Sequence, residues 1–408
     1  LGKKARKTAY LDYTILVPYI VLSIVGVIMS YSASSYRLMN SNPPQAPWAD
    51  ALKQIIFLIG SLIIIAIIYK FKTKVFQNRN FIVFGLIVVS LMLLATRFTP
   101  LGQEVNGARG WLKLGPLGMI QPAEFLKVML IWYLSYILAR RQDGISNNFK
   151  QAVMRPMMLV GALIGLVLIQ PDTGGALILI LITLVMLLSS GISYYYSLVV
   201  AGAGALVSLF VIQVLPAIPK SFYPSNFQHI YGRFQSFKNP FTDAFGDGHQ
   251  MVNSYYAMYR GGWLGQGLGN SIQKKGFLPE AHSDFMFAIV LEELGLIVGI
   301  ILLLLLLFLT LRVMAIGVNA STPFNSLMCI GVGGMLLIQT IVNVGGITGL
   351  IPLTGVTFPF LSQGGSSLVT LSIGIGFVLN IRADELKRRH MKEVHNQNQG
   401  ELVQMKRI

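Results

Sequence analysis

The 408-residue chain is 54% hydrophobic and only 12% charged, with a mean hydropathy of +0.64, where a soluble domain carries about 25% charged residues. Its apolar residues come in blocks of roughly 15 to 25, the length that crosses about 30 Å of hydrocarbon as a helix. Runs such as 300–309 lack the alternation of a barrel strand, so a soluble fold and a β-barrel are excluded and membrane-spanning helices remain.

The net charge of +16 lies largely in the termini and short loops, the pattern of a topology signal rather than of nucleic-acid binding. The N-terminus carries Lys3, Lys4, Arg6 and Lys7 ahead of an apolar run from Thr14. Ser32-Ala33-Ser34 resembles a signal-peptide cleavage site, but the run is long for a signal segment, so a retained first span is expected. Ten spans follow in order, at about 14–33, 52–69, 80–96, 122–139, 153–170, 175–190, 193–215, 285–312, 325–344 and 364–381. The fifth and sixth are parted only by Gln170-Pro171-Asp172-Thr173-Gly174, so one longer excursion broken at Pro171 is the alternative there. The expected architecture is therefore an all-α polytopic membrane protein. A short cytoplasmic segment, 1–13, precedes a membrane domain at 14–382, and a flexible basic tail follows at 383–408.

An even number of spans puts both termini on one side, and charge selects the cytoplasm. That orientation places Lys70, Lys72, Lys74, Arg79, Arg140, Arg141, Lys150, Arg155, Arg312 and the tail cations inside. It leaves a large extracellular loop at 216–284, between the seventh and eighth spans. Its glycines (Gly261, Gly262, Gly265, Gly267, Gly269) and its aromatics predict a folded segment on the membrane surface. Outer cations Arg109, Lys113, Arg233, Lys238, Arg260, Lys274 and Lys275 suggest an anionic ligand there. No inverted repeat is evident, which disfavours an alternating-access carrier.

Carboxylates near the membrane are few enough to weigh singly: Glu124, Asp172, Glu280, Asp284, Glu292 and Glu293. The densest group is Pro279-Glu280-Ala281-His282-Ser283-Asp284-Phe285. If helical, it puts Glu280 and Asp284 on one face, where burial would tune a general base. Acidic capping of a helix N-terminus explains the same residues without chemistry. Glu292 and Glu293 diverge, being adjacent, and read as structural contacts. Glu124 has Lys127 one turn on, and Asp172 suits a turn. Trp111, in Asn106–Leu112, is either an interfacial anchor or part of a site. The stretch 354–367, ending in Gly364-Gly365-Ser366-Ser367, allows either an anion at a helix N-terminus or close helix packing.

Taken together, 106–112, 121–127, 170–174, 278–285 and 352–367 give the chain a specific resemblance to the SEDS family (shape, elongation, division and sporulation) over about 14–382. The resemblance implies ten helices and polymerisation of lipid II outside the membrane. The growing glycan, held on undecaprenyl diphosphate, would be the donor, and the 4-hydroxyl of the next lipid II would invert the anomeric centre. Asp284 falls at the family's essential aspartate and is assigned the base role; Trp111 matches its other important position. Outer cations, among them Arg109, Lys113, Arg233, Arg260 and Lys275, would hold the diphosphates. Glu124, Lys127, Asp172, Glu280, His282, Ser366 and Ser367 complete the expected substrate-binding set. Ser283 stands where many relatives have threonine, which keeps a hydroxyl.

No cofactor is required by the resemblance. A divalent cation, Mg2+ or Mn2+, is compatible with a diphosphate, although no metal-ligand cluster stands out. The implied partners are a class B penicillin-binding protein transpeptidase and other divisome membrane proteins, with no nucleic acid. Ala281 and the run Leu361-Ser362-Gln363-Gly364-Gly365 favour the septal branch over the elongation branch, whose polymerase is the alternative within the family, and do not separate it from the sporulation branch. A lipid II flippase and a scaffold for the transpeptidase are the competing readings.

Overall fold

A computed structural model describes residues 7–105, 107–113, 115, 118–147, 149–192, 194–214, 218, 222 and 228–405. In chain order the helices are α1 (Tyr13–Met39), α2 (Ala49–Lys70), α3 (Arg79–Phe98), α4 (Pro122–Ala139), α5 (Gln142–Asn147), α6 (Phe149–Ile169), α7 (Thr173–Leu188), α8 (Tyr194–Val214), α9 (Gln228–Lys238), α10 (His249–Gly261), α11 (Met286–Val318), α12 (Pro323–Ile347) and α13 (Gly365–Met405). Their starts follow the local chemistry. Asp12, Asn78, Asp172 and Thr322 accept hydrogen bonds from first-turn N–H groups, and prolines open α4 and α12.

The molecule is a polytopic helical membrane protein. Among the described residues eight helices are long and apolar enough to cross a bilayer. The 16-residue α7 and the 21-residue α8 occupy the places of the sixth and seventh expected spans. α6 and α7 are separate helices, broken at Pro171, whose φ is +30°. Large apolar side chains such as Ile59, Phe84, Leu91, Ile301 and Leu304 point outward, as a lipid-facing surface requires.

α12 is the hub of the bundle, packed against α4, α7, α11 and α13. Glycines at 331, 333 and 334 let those neighbours approach: any Cβ there would collide with Ile131, Met314 or Val185. At the end of the bundle away from the cavity described below, Asp12 meets Arg312 and Arg382 at 2.9 and 3.1 Å, joining α1, α11 and α13.

α11 breaks at Gly295, where φ is +82° and ψ 171°. The loop after α10 completes the interrupted backbone ladder. Gln266 N donates to Glu292 O and Gly267 N to Glu293 O, while Leu296 N donates to Gly262 O. Glu292 and Glu293, both fully buried, clasp the same loop. Arg260 reaches Glu292 at 2.8 Å, and Lys274 reaches Glu293 at 2.6 Å beside Ser32 of α1. Both glutamates thus make the structural contacts expected of them.

Several local features refine the sequence reading. The segment after α3 is a small antiparallel sheet of β1 (Gly102–Val105), β2 (Ala108–Lys113) and β3 (Met119–Ile120). Val105 pairs with Ala108 across the Asn106-Gly107 turn, a strong hairpin signal; Asn106 itself lies outside the described residues. The long loop between α8 and α11, expected to be folded, contains α9 and α10. Residues 279–285 form consecutive turns, so Glu280 and Asp284 do not share a helical face, and α11 begins only at Met286. The basic segment after Arg382, expected as a flexible tail, continues α13 as helix to Met405.

Candidate functional site

The segments that carry the resemblance lie far apart in sequence yet line one cavity of about 800 Å³, within the range of ligand pockets. Three helix N-termini face it. α4 contributes Gln121 and Glu124, α7 contributes Asp172, Thr173 and Gly175, and α13 contributes Gly365, Ser366 and Ser367. Their free N–H groups and dipoles favour an anion. Hydrogen bonds lock them together: Gln121 N donates to Ser366 Oγ at 3.1 Å, and Gln121 Nε2 to Asp172 Oδ2 at 3.1 Å.

The opposite wall is the turn segment before α11. Gln363 N donates to His282 O at 2.9 Å, and Ser362 Oγ donates to Ser283 O at 2.6 Å while accepting from Phe358 N. Phe358 stacks on Phe287 with centroids 4.7 Å apart. Phe360, between them, holds a left-handed φ of +63°, a strained backbone of the kind retained where surroundings over-determine it. The 354–363 loop is thereby pinned beside Asp284.

Asp284 keeps part of its surface open to the cavity, while protein surrounds the rest. Burial drives its pKa up to about 7; the charge of Glu280 adds to the rise, and Arg233 opposes it. Arg233, from α9, donates to Thr354 O at 3.1 Å and lies between two carboxylates, feeling both Asp284 and Asp172. A Cβ on Gly355 would stand 3.4 Å from Asp284 Oδ2 and 3.5 Å from Arg233 Nη2, so the glycine leaves room for both. Asp172 is also pushed upward by burial, although Gly175 N donates to it. His282 is pushed downward by burial and by Arg37.

Of the residues singled out in the sequence, Trp111, Glu124, Lys127, Asp172, Arg233, Glu280, His282, Asp284, Ser366 and Ser367 all line this cavity. Lys127 bonds Glu124 at 2.7 Å on its wall. Four lie elsewhere. Arg109 donates to Thr99 O, and its own N–H to Gln170 O, behind the sheet. Lys113 and Lys275 are exposed and outside the lining. Arg260 is committed to Glu292. The sequence reading missed a third wall, from the ends of α1 and α2: Arg37, Asp50, Lys53 and Phe57. Asp50 bridges Arg37 and Lys53 at 2.7 and 3.0 Å. Weighing the cations of the first outer loop as those of later loops were weighed would have found them.

A family model for FtsW, RodA and SpoVE, described as cell cycle protein, matches residues 13–387. A probable peptidoglycan glycosyltransferase FtsW of Lactococcus lactis subsp. lactis is 44% identical over 409 residues, 96% of each chain. That of Enterococcus hirae is 38% identical over 386 residues, covering 94% of this chain and 95% of the relative. Among solved structures, one from a study of how a peptidoglycan synthase complex coordinates polymerization and crosslinking is similar at a TM-score of 0.69. It shares 26% identity, covering 92% of this chain and 98% of that one. The rod shape determining protein RodA of Thermus thermophilus gives 0.60 at 25% identity, with 92% and 97% covered. With its family model matched almost end to end and its motifs gathered at one cavity, the chain belongs to the FtsW/RodA/SpoVE family.

Proposed function

We propose that this chain is a peptidoglycan glycosyltransferase of the FtsW kind, polymerising lipid II at the outer face of the bacterial cell membrane for septal wall synthesis. The observation that carries this reading is the cavity itself. It sets a half-buried aspartate of raised pKa opposite three helix N-termini, with Arg233 and Lys127 on its walls. An enzyme that transfers a sugar from a diphosphate needs those two elements, a base and an anion seat.

In the proposed reaction the acceptor 4-hydroxyl lies against Asp284 and the donor diphosphate lies toward the N-termini of α4, α7 and α13. The hydroxyl oxygen attacks the anomeric carbon from the face opposite the diphosphate. The new C–O bond forms, the bond to the diphosphate breaks with its electron pair, and the hydroxyl proton passes to Asp284. The diphosphate leaves as an anion and needs little protonation, so the paired acid of a glycoside hydrolase is dispensable. Among the described residues no three His, Cys, Asp or Glu side chains converge as metal ligands. A Mg2+ or Mn2+ ion here would take its ligands chiefly from the diphosphates, and no step is assigned to it.

The bundle end with Asp12, Arg312 and Arg382 lies in the cytoplasm in this reading, with both termini, and the cavity opens outside. A class B penicillin-binding protein transpeptidase is the proposed partner, within a larger set of division membrane proteins. One related structure comes from a peptidoglycan synthase complex, which supports such a pairing.

The pH dependence tests the base. Asp284 works only when ionised, and its pKa is raised to about 7. kcat/KM for strand formation should therefore fall on acidification with a midpoint near that value, and rise to a plateau above it. A rate that stays flat down to about pH 5, where an ordinary carboxylate is still ionised, would remove Asp284 as the base.

A further inference from the structure

Asn343 lies on α12, one turn before that helix ends at Ile347, and is buried. Its Nδ2 group donates two hydrogen bonds of 2.7 Å, one to the carbonyl of Asp284 and one to the carbonyl of Val356. A single amide thus uses both its hydrogens to bridge the two loops that form the Asp284 wall. Among the described residues its Oδ1 is buried without a hydrogen-bond partner, an arrangement that costs free energy. An apolar side chain would avoid that cost but strand two buried carbonyls. The position therefore uses the amide for its pair of donors.

We infer that Asn343 is a positioning residue for glycosyl transfer, clamping the Asp284 backbone to Val356 so that the carboxylate is held beside Gly355 and Arg233. The inference rests on the reading of Asp284 as the base. The clamp acts on that residue's own backbone, and it comes from the hub helix, which packs against α4, α7, α11 and α13. Its second anchor, Val356, adjoins Gly355, the glycine that gives Asp284 and Arg233 their space. Thr354, one residue further, receives the Arg233 hydrogen bond. Asn343 therefore fixes base and cation relative to one another through one short stretch of chain. The neighbouring ties from Ser362 to Ser283 and from Gln363 to His282 remain without it, so its loss loosens the wall without dismantling it.

The test is steady-state strand formation from labelled lipid II by the full chain, purified with its transpeptidase, for wild type, Asn343→Ala, Asn343→Asp and Asp284→Asn. Asn343→Ala is expected to lower kcat about 10- to 100-fold, the effect of displacing a reacting group by about 1 Å. KM should stay within about threefold, because the residues lining the anion seat are untouched. Asn343→Asp keeps the shape, removes the donors and adds a negative charge. It joins Glu280 and Asp172 against Arg233 around Asp284, so its acid limb should lie at higher pH than that of Asn343→Ala. A purely structural role would lower apparent kcat only in step with the fraction of folded, partner-bound enzyme and would leave that limb unmoved; a kcat loss that disappears once corrected for that fraction, or an unmoved limb, overturns the inference, as does an Asn343→Ala enzyme with wild-type kcat. Should Asn343→Ala fail to fold, Asn343→Ser, whose single short hydroxyl cannot bridge both carbonyls, must still show a loss of kcat at unchanged KM. An active Asp284→Asn enzyme defeats the base assignment itself, whereas an inactive one beside a normal Asn343→Ala defeats only the clamp.

Discussion

Asp284→Asn should lower strand formation about 100- to 10,000-fold, the range of a general base, while leaving the protein folded and bound to its partner. Shape is retained, and the backbone bond from Asn343 to the residue 284 carbonyl is unaffected. The stability expectation has a definite sign. Burial raises the folded-state pKa of Asp284 from the ordinary 3.8 to about 7, so the folded chain binds this proton more tightly than the unfolded chain. Stability is then lost as pH rises between those values and stays reduced above them. Asparagine carries no charge at any pH, so the variant should melt no lower than wild type at neutral pH. Thermal unfolding and strand formation measured on one preparation check both halves. An inactive variant that also melts far lower would make the loss of activity a loss of fold.

The Lys274–Glu293 pair should show the largest effect on stability. Both side chains are almost wholly buried, and the pair joins the loop after α10 to α11 at its Gly295 break, beside Ser32 of α1. Lys274→Met leaves the Glu293 carboxylate, among the described residues, with Ser32 and the Ser271 N–H as partners. Removing one partner of a buried pair costs about 3–5 kcal/mol. Lys274→Met with Glu293→Leu replaces both charges with apolar groups and should recover most of that loss. The double variant melting well above either single variant is the expected result. Singles that melt with the exposed Lys275→Met would mean that the clasp contributes nothing. Activity should follow stability here, because the turn segment bearing Asp284 begins just after Lys274.

The sequence carried the spans well because membrane helices must be long, apolar and self-satisfied, and α1 to α4, α6, α11 and α12 begin and end close to the expected residues. It carried Asp284, Asp172, Glu124 and Arg233 because a rare charge near a membrane is informative. It carried far less about the 102–120 segment, where short strands between spans have too few residues to show a period. The Asn106-Gly107 pair was the signal there. The four-residue spacing in Pro279–Phe285 puts Glu280 and Asp284 on one face only if the segment is helical, but turns place both at the cavity as well. Proximity thus came from a different local structure than the spacing suggested. Arg260 and Lys275 show the limit of charge counting. Both lie in the right loop, yet Arg260 is spent on Glu292 and Lys275 points to solvent. Asn343 was invisible for the opposite reason: an amide inside an apolar span reads as packing until its two carbonyl partners, one from each loop, are seen.

The most direct test of the account is strand formation by the purified wild-type chain with its transpeptidase in detergent micelles, where no bilayer separates two compartments. Labelled lipid II should be consumed into long glycan strands, since the chemistry lies in the cavity rather than in transport across a membrane. No strands from an intact complex, beside a control polymerase that works in the same mixture, would contradict the polymerase reading and favour a flippase or a scaffold.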